Sequence, residues 1–267
     1  MTKFEQAAEF LINLRKNDQK AVQIPKDVCP QSIEEGYAVQ EAFVPKLLGH
    51  LGSTAIGYKV ACTSVHAQEL LHVDGPFYGR MIETTTHASG VTLSAGNFNS
   101  RVIEPEFAFK MGADVPAVDT PYTAETILPY LEALIPGIEI VDYCYEDFST
   151  VGAQSLIAHN AVHGACILGT PVLLNDKGDA FVEQLATHPV ILTVNGQEIE
   201  RGGGFNVLGN PLTVMAWLAN ALQSHGKGLQ SGDVIITGTS TNVYAGEAGD
   251  QIEVDYGEFG TVSVNFS

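Results

Sequence analysis

Residues 101–109 read Arg-Val-Ile-Glu-Pro-Glu-Phe-Ala-Phe, an apolar run with two acids set two positions apart. In a strand successive side chains alternate between faces, so Glu104 and Glu106 point the same way. Two carboxylates side by side repel, and burial raises at least one pKa unless a cation neutralises them. Pro105 between them has no N–H for a ladder, which suits an edge strand or a strand end near a cavity. A fold for this chain must therefore solvate an acidic face or supply positive charge to it. The sequence of this strand leaves both open.

A third carboxylate weighs on the second side. Glu139 lies in Ile135-Pro-Gly-Ile-Glu-Ile-Val, where every neighbour is apolar or small. An acid in so apolar a strand needs a partner. Two carboxylates from one strand and one from another make an oxygen-rich site suited to Mg²⁺ or Mn²⁺. Zinc is not indicated, because no His or Cys stands at ligand spacing to these acids.

The charge balance points the same way. Thirteen Lys and Arg face 31 Asp and Glu, a formal net charge of -18. Such a field disfavours nucleic acid and anionic membranes as partners. An anionic substrate needs a local reversal of sign, which a bound divalent cation supplies. Lys59 is a second local source. It sits in Ala-Ile-Gly-Tyr-Lys-Val-Ala, with Gly57 and Ala61 on its own face leaving room for a ligand. A lysine in a cleft binds a carboxylate, or moves protons if its pKa is depressed. The plain alternative is a lysine reaching out from a sheet edge.

The remaining pattern sets the fold class. Phe4, Ala7, Ala8, Leu11 and Leu14 recur at helical spacing, and Ser32-Ile-Glu-Glu35 predicts the start of a second helix. Ser64 to Leu71 reads as a short helix, Thr123 to Leu134 as a longer one, and Pro211 to Ser224 as a third. Strands are expected at 55–62, 102–109 and 137–141, and an Asn195-Gly196 turn marks a hairpin. GDVIITG, DQIEVDY and GTVSVNF add short strands near the end. The expected architecture is α+β, with a helical segment over 1–54 and a mixed, largely antiparallel domain over 55–267.

Charged residues make up only 16% of the chain, so apolar surface hidden between subunits, and hence a homo-oligomer, is expected. Four cysteines without metal or CxxC spacing read as buried thiols in a reducing compartment. The amphipathic, acid-bearing first twenty residues do not read as a leader, and the longest charge-free run, 148–175, is too polar to span a membrane. A cytoplasmic protein is expected. Gly202-Gly203-Gly204 reads as a mobile loop, and His159 and His163 as packed histidines.

GYKVACTSVHAQELLHVDGPFYGRM, RVIEPEFAF, LIPGIEIVD, IAHNAVHG, LGNPLTVMAWLANAL and SGDVIITGT follow one another in an order that resembles the 2-keto-4-pentenoate hydratases and related 2-oxo-acid decarboxylases of the fumarylacetoacetate hydrolase superfamily. The resemblance implies a β-roll fold, a homo-oligomer and a divalent metal held by Glu104, Glu106 and Glu139. It also implies an active-site Lys59 and substrate contacts from Asn160 and Thr237. The implied substrate is a 2-oxo or 2-hydroxy-dienoic acid, and the implied reaction is its hydration to a 4-hydroxy-2-oxo acid. Decarboxylation of a 2-oxo-enedioate is the runner-up. Hydrolysis of an acylpyruvate with His159 or His163 as water base comes third, and a binding role without chemistry last. The chain departs from the hydratase pattern at Phe77 and His159, where that pattern has acids.

Overall fold

The computed structural model describes residues 1–175 and 177–267. Two helices open the chain, α1 (Lys3–Lys16) and α2 (Ile33–Leu51). Thr2 and Glu5 close a capping box on α1, Ser32 caps α2, and Gly52 at φ 60° ends it. Then come β1 (Ala55–Ala61), α3 (Val65–Leu71), β2 (Phe77–Ile82), β3 (Thr86–Ala88), β4 (Val91–Leu93) and β5 (Val102–Met111). A single turn, α4 (Ala124–Ile127), leads into β6 (Leu131–Val141), followed by α5 (Ala153–Ala158), β7 (His163–Leu168) and β8 (Val172–Leu173). The last part holds α6 (Asp179–Thr187), β9 (Pro189–Val194), β10 (Gln197–Gly203), α7 (Pro211–Ser224) and β11 (Val234–Thr239). It ends with β12 (Tyr244–Ala245), β13 (Gln251–Asp255) and β14 (Thr261–Phe266).

The strands form two sheets. The larger runs β2-β1-β11-β5-β6-β7-β3, with β12 beside β5 and β8 beside β6; the smaller runs β10-β9-β13-β14-β4. Pairing is antiparallel except for β1 with β11, β3 with β7 and β4 with β14. This is the mixed, mainly antiparallel α+β architecture expected from the pattern.

Strand alternation sorts the large sheet into two faces. Tyr58, Val60, Phe107, Phe109, Ile138 and Ile140 face the principal core, which they share with the small sheet and α7. Each such side chain contributes about 1.5–3 kcal/mol when fully buried. Lys59, Glu104, Glu106 and Glu139 occupy the alternate positions. Beside them lies a small apolar patch that includes Ala108, Ile135 and Ile236. A separate apolar cluster joins α1 and α2 to α5 and to Phe77, Ala161 and Val162.

Three expectations are corrected. The helix over 123–134 shrinks to α4, and Leu131 to Leu134 belong to β6. Pro129 sits in a tight turn that ends the helix, and the apolar run after it is buried almost throughout in an interior strand. Pro105 is not on an edge. Strand β5 is interior, and Pro105 sits in the gap between the last β11 pair, Thr239 with Glu106, and the first β12 pair, Tyr244 with Ile103, where its carbonyl accepts from the Ser240 N–H and no ladder donor is missed. The three glycines are not a mobile loop. Gly202 and Gly203 end β10, and a Cβ on Gly202 would lie 2.0 Å from the Ser240 carbonyl oxygen. Among the described residues, no helix is long and apolar enough to cross a membrane.

Candidate metal centre

The register of β5 against β6 sets Glu104 directly opposite Glu139 and Glu106 opposite Gly137. One carboxylate oxygen from each of Glu104, Glu106 and Glu139 falls within 4.8 Å of the others. Glu106 and Glu139 are fully buried, whereas Glu104 is partly exposed and lines a cavity. The register break of β11 completes the cluster. There the backbone N–H of Gly238 turns away from the ladder and donates to Glu106 Oε2 at 2.6 Å. Gly238 has φ 95°, and a Cβ there would lie 1.9 Å from Thr63 Oγ1, so only glycine fits.

Lys59 enters from β1 and is 1% exposed. Its Nζ lies 3.0 Å from Glu139 Oε2 and donates to the Ala161 carbonyl at 3.1 Å. That carbonyl is aimed by a strained turn, since Asn160, Ala161 and Val162 all have φ between 48° and 55°. Such residues cost on the order of 1–3 kcal/mol each and persist only where the surroundings hold them. Asn160 holds them here, its side chain accepting from the Arg80 N–H at 2.7 Å and donating to the Arg80 carbonyl at 2.9 Å. On the other side of Glu139, His163 Nδ1 donates to Oε1 at 2.7 Å.

Burial pushes the Glu106 carboxyl well above the usual range, and repulsion from Glu139 and Glu104 adds to it. Burial raises Glu104 to about 7, with Lys59 pulling it back and Glu139 pushing it up. Burial acts on Glu139 too, but there Lys59 and the His163 hydrogen bond outweigh it and hold the carboxyl low. Burial alone lowers the Lys59 pKa, yet the charges of Glu139, Glu104 and Glu106 outweigh this and hold it high. Without a cation on the carboxylates, Lys59 is thus held as an ammonium that faces Glu139 and donates to the Ala161 carbonyl.

With all three carboxylates ionised, one ammonium leaves two negative charges uncompensated, the charge of one divalent cation. Glu106 Oε1 has no hydrogen-bond partner, and Glu139 Oε2 has only its ionic contact with Lys59. Orphaned buried oxygens of this kind are rare unless something absent ligates them. An all-carboxylate set suits a hard cation. The three glutamates fit a divalent metal.

A cavity of about 420 Å³ opens from Lys59, Glu104, Gly238 and Thr239. Neither Asn160 nor Thr237 lines it. The Asn160 amide is spent on Arg80, and Thr237 Oγ1 donates to the Phe107 carbonyl at 2.9 Å, so both serve the backbone around the site. Phe77 lines the cavity where the hydratase pattern has an acid. His159 is elsewhere, buried between Phe43 and Tyr145 with Nδ1 3.7 Å from Cys144 Sγ, and burial lowers its pKa to about 3. It is not a water base for this cavity. Sequence reasoning missed the His163–Glu139 and Gly238–Glu106 contacts. Both are cross-strand contacts between segments far apart in sequence, and neither has a local signal.

The family model for the fumarylacetoacetate (FAA) hydrolase C-terminal region matches residues 60–267. The 2-keto-4-pentenoate hydratase 1 of Dechloromonas aromatica is 28% identical over 264 residues, covering 98% of this chain and 97% of its own. The 2-oxo-hept-4-ene-1,7-dioate hydratase of Escherichia coli is 28% identical, covering 97% of this chain and 96% of its own. The structure of 4-oxalocrotonate decarboxylase from Pseudomonas putida G7, complexed with magnesium and adipate, superposes with a TM-score of 0.90 at 26% identity, covering 100% of this chain and 99% of that one. The family match over residues 60–267 and the shared fold establish that the chain belongs to the fumarylacetoacetate hydrolase family.

Proposed function

We propose that the protein is a metal-dependent hydro-lyase that converts a 2-hydroxy-2,4-dienoate into a 4-hydroxy-2-oxo acid. The observation that carries this reading is the buried Glu104–Glu106–Glu139 cluster, braced by Lys59 and opening onto a largely apolar cavity. The hydratase names among its relatives support it. Glu104, Glu106 and Glu139 are assigned as the ligands of one Mg²⁺ or Mn²⁺. Bound there, the cation supplies Lewis acidity toward the substrate's carboxylate and 2-oxygen.

The protein's own groups do the rest. Lys59, held as an ammonium, has one N–H left after Glu139 and Ala161 for the substrate anion or for a proton delivered during ketonisation. Gly238 fixes Glu106, and His163 fixes Glu139. The apolar lining keeps bulk water from the conjugated chain while water adds at its far carbon. Decarboxylation of a 2-oxo-enedioate is the second reading, favoured by the close superposition on the decarboxylase. The test is an ultraviolet assay in Mg²⁺ with 2-hydroxypenta-2,4-dienoate and, separately, with a 2-oxo-hexenedioate followed for CO₂. Loss of dienol absorbance with formation of 4-hydroxy-2-oxopentanoate supports hydration. CO₂ release without hydration of the pentadienoate moves the assignment to the decarboxylase.

A further inference from the structure

Beyond Lys59 and Glu104 the cavity changes character. Its volume of about 420 Å³ is far more than a five-carbon acid fills and falls in the range that holds drug-sized ligands. Phe77 of β2, Leu70 and Leu71 of α3, Phe148, Leu156 of α5 and Val243 build much of its wall. Leu70 and Val243 are 43% and 51% exposed, so the apolar surface continues to the mouth.

On the lining itself lysine and arginine are confined to one place, with Lys20 outside it over the Tyr143 ring. Among the described residues, Lys59 is the one lysine or arginine on the lining, and Glu139 already holds it. Arg80 stacks on Tyr58, and Arg101 donates to the Gly246 and Ala95 carbonyls, so neither lines the cavity. Polar donors on the lining are also largely committed. Asn206 donates to the Ser240 carbonyl and Asn242 to Glu200, at 2.8 and 3.1 Å. Thr239 and Thr241 donate to neighbouring carbonyls at 3.0 and 2.7 Å. The Thr63, Ser64 and Tyr143 hydroxyls, the Cys62 thiol and the His66 imidazole are the remaining side-chain donors on the lining.

A second carboxylate in this part of the cavity loses hydration and meets no lysine or arginine on the lining, in a chain of net charge -18, and the few hydroxyl, thiol and imidazole donors there offset only part of that cost. An alkyl or aryl group gains from the same walls. Resting on the proposed reading of the metal centre, we infer that the substrate carries one carboxylate, at the metal end, and an apolar extension of the dienoate at the other.

Calorimetry on the Mg²⁺-loaded protein with 2-oxopentanoate, 2-oxooctanoate and 2-oxohexanedioate tests this without turnover. Each buried methylene is worth about fourfold in affinity, so 2-oxooctanoate binds at least tenfold tighter than 2-oxopentanoate. The diacid binds at least tenfold weaker than 2-oxooctanoate. Leu70→Arg, at a partly exposed position, reverses the order of the eight-carbon acid and the diacid. A diacid that binds best to the unaltered protein overturns the inference, as does an unchanged order in Leu70→Arg or no binding of any of the three. Turnover of the matching 2-hydroxydienoates separates the two claims. Binding in the expected order with no hydration refutes the reaction and leaves the substrate shape standing. Hydration with the diacid preferred does the reverse.

Discussion

Replacing Lys59 by Met removes the one ammonium from the carboxylate cluster while keeping much of the side chain's bulk. Lys59 Nζ is buried 3.0 Å from Glu139 Oε2, and removing one partner of a buried pair costs about 3–5 kcal/mol. The lower end applies, because burial already drives Glu104 and Glu106 toward their neutral forms and strands fewer charges. About 3 kcal/mol corresponds to a fall of roughly 6–12 °C in the Tm of the metal-free protein. The effect on the cation is opposite in sign. Two unit charges about 4 Å apart interact by about 4 kcal/mol at an effective dielectric near 20. Losing even a third of that repulsion tightens Mg²⁺ binding about tenfold. Turnover falls by on the order of a hundredfold or more, since the donor for the substrate anion is gone. Thermal denaturation in chelator and Mg²⁺ calorimetry read the first two effects, and the ultraviolet assay the third. A metal-free Tm within a degree of the unaltered protein, or weaker Mg²⁺ binding, refutes the ion-pair reasoning.

Three further outcomes follow from the same geometry. His163→Ala strips the hydrogen bond from Glu139 Oε1 and weakens Mn²⁺ binding by about ten- to a hundredfold, as loss of a ligand's supporting partner does; unchanged affinity by calorimetry removes His163 from the site. Glu104 titrates near 7 in the fold against 4.5 ordinarily. Its contribution to metal-free stability is therefore present below 4.5 and lost as pH rises through 7. Magnesium must displace that proton, so the Mg²⁺-induced rise in Tm is small at pH 5 and large at pH 8; a rise independent of pH contradicts the assignment. Gly202→Ala forces a Cβ to within 2.0 Å of the Ser240 carbonyl and lowers Tm by several degrees, whereas a flexible loop tolerates it.

The carboxylates and Lys59 were legible in the sequence because their signals are local: a charge where a two-residue alternation demands a hydrophobe. The hairpin at Asn195-Gly196 and helix α7, bounded by Asn210, Pro211 and Ser224, were legible for the same reason. What was missed depends on neighbours brought in from elsewhere. Leucine, glutamate and alanine at 131–134 favour a helix, but pairing with β5 and β8 makes them strand. Asn160 and Thr237 are in the right region, yet their side chains bind backbone instead of facing the cavity. Gly202 to Gly204 look permissive one at a time, and only the packed carbonyls of Ser240, His188 and Leu185 show that no larger residue fits.

In the proposed reading Glu104, Glu106 and Glu139 hold one divalent cation on which turnover depends. The direct measurement is turnover of 2-hydroxypenta-2,4-dienoate by chelator-stripped protein as Mg²⁺ is titrated back. Hydration is absent without metal and recovers saturably as a single site per chain fills. Full activity in excess chelator contradicts it.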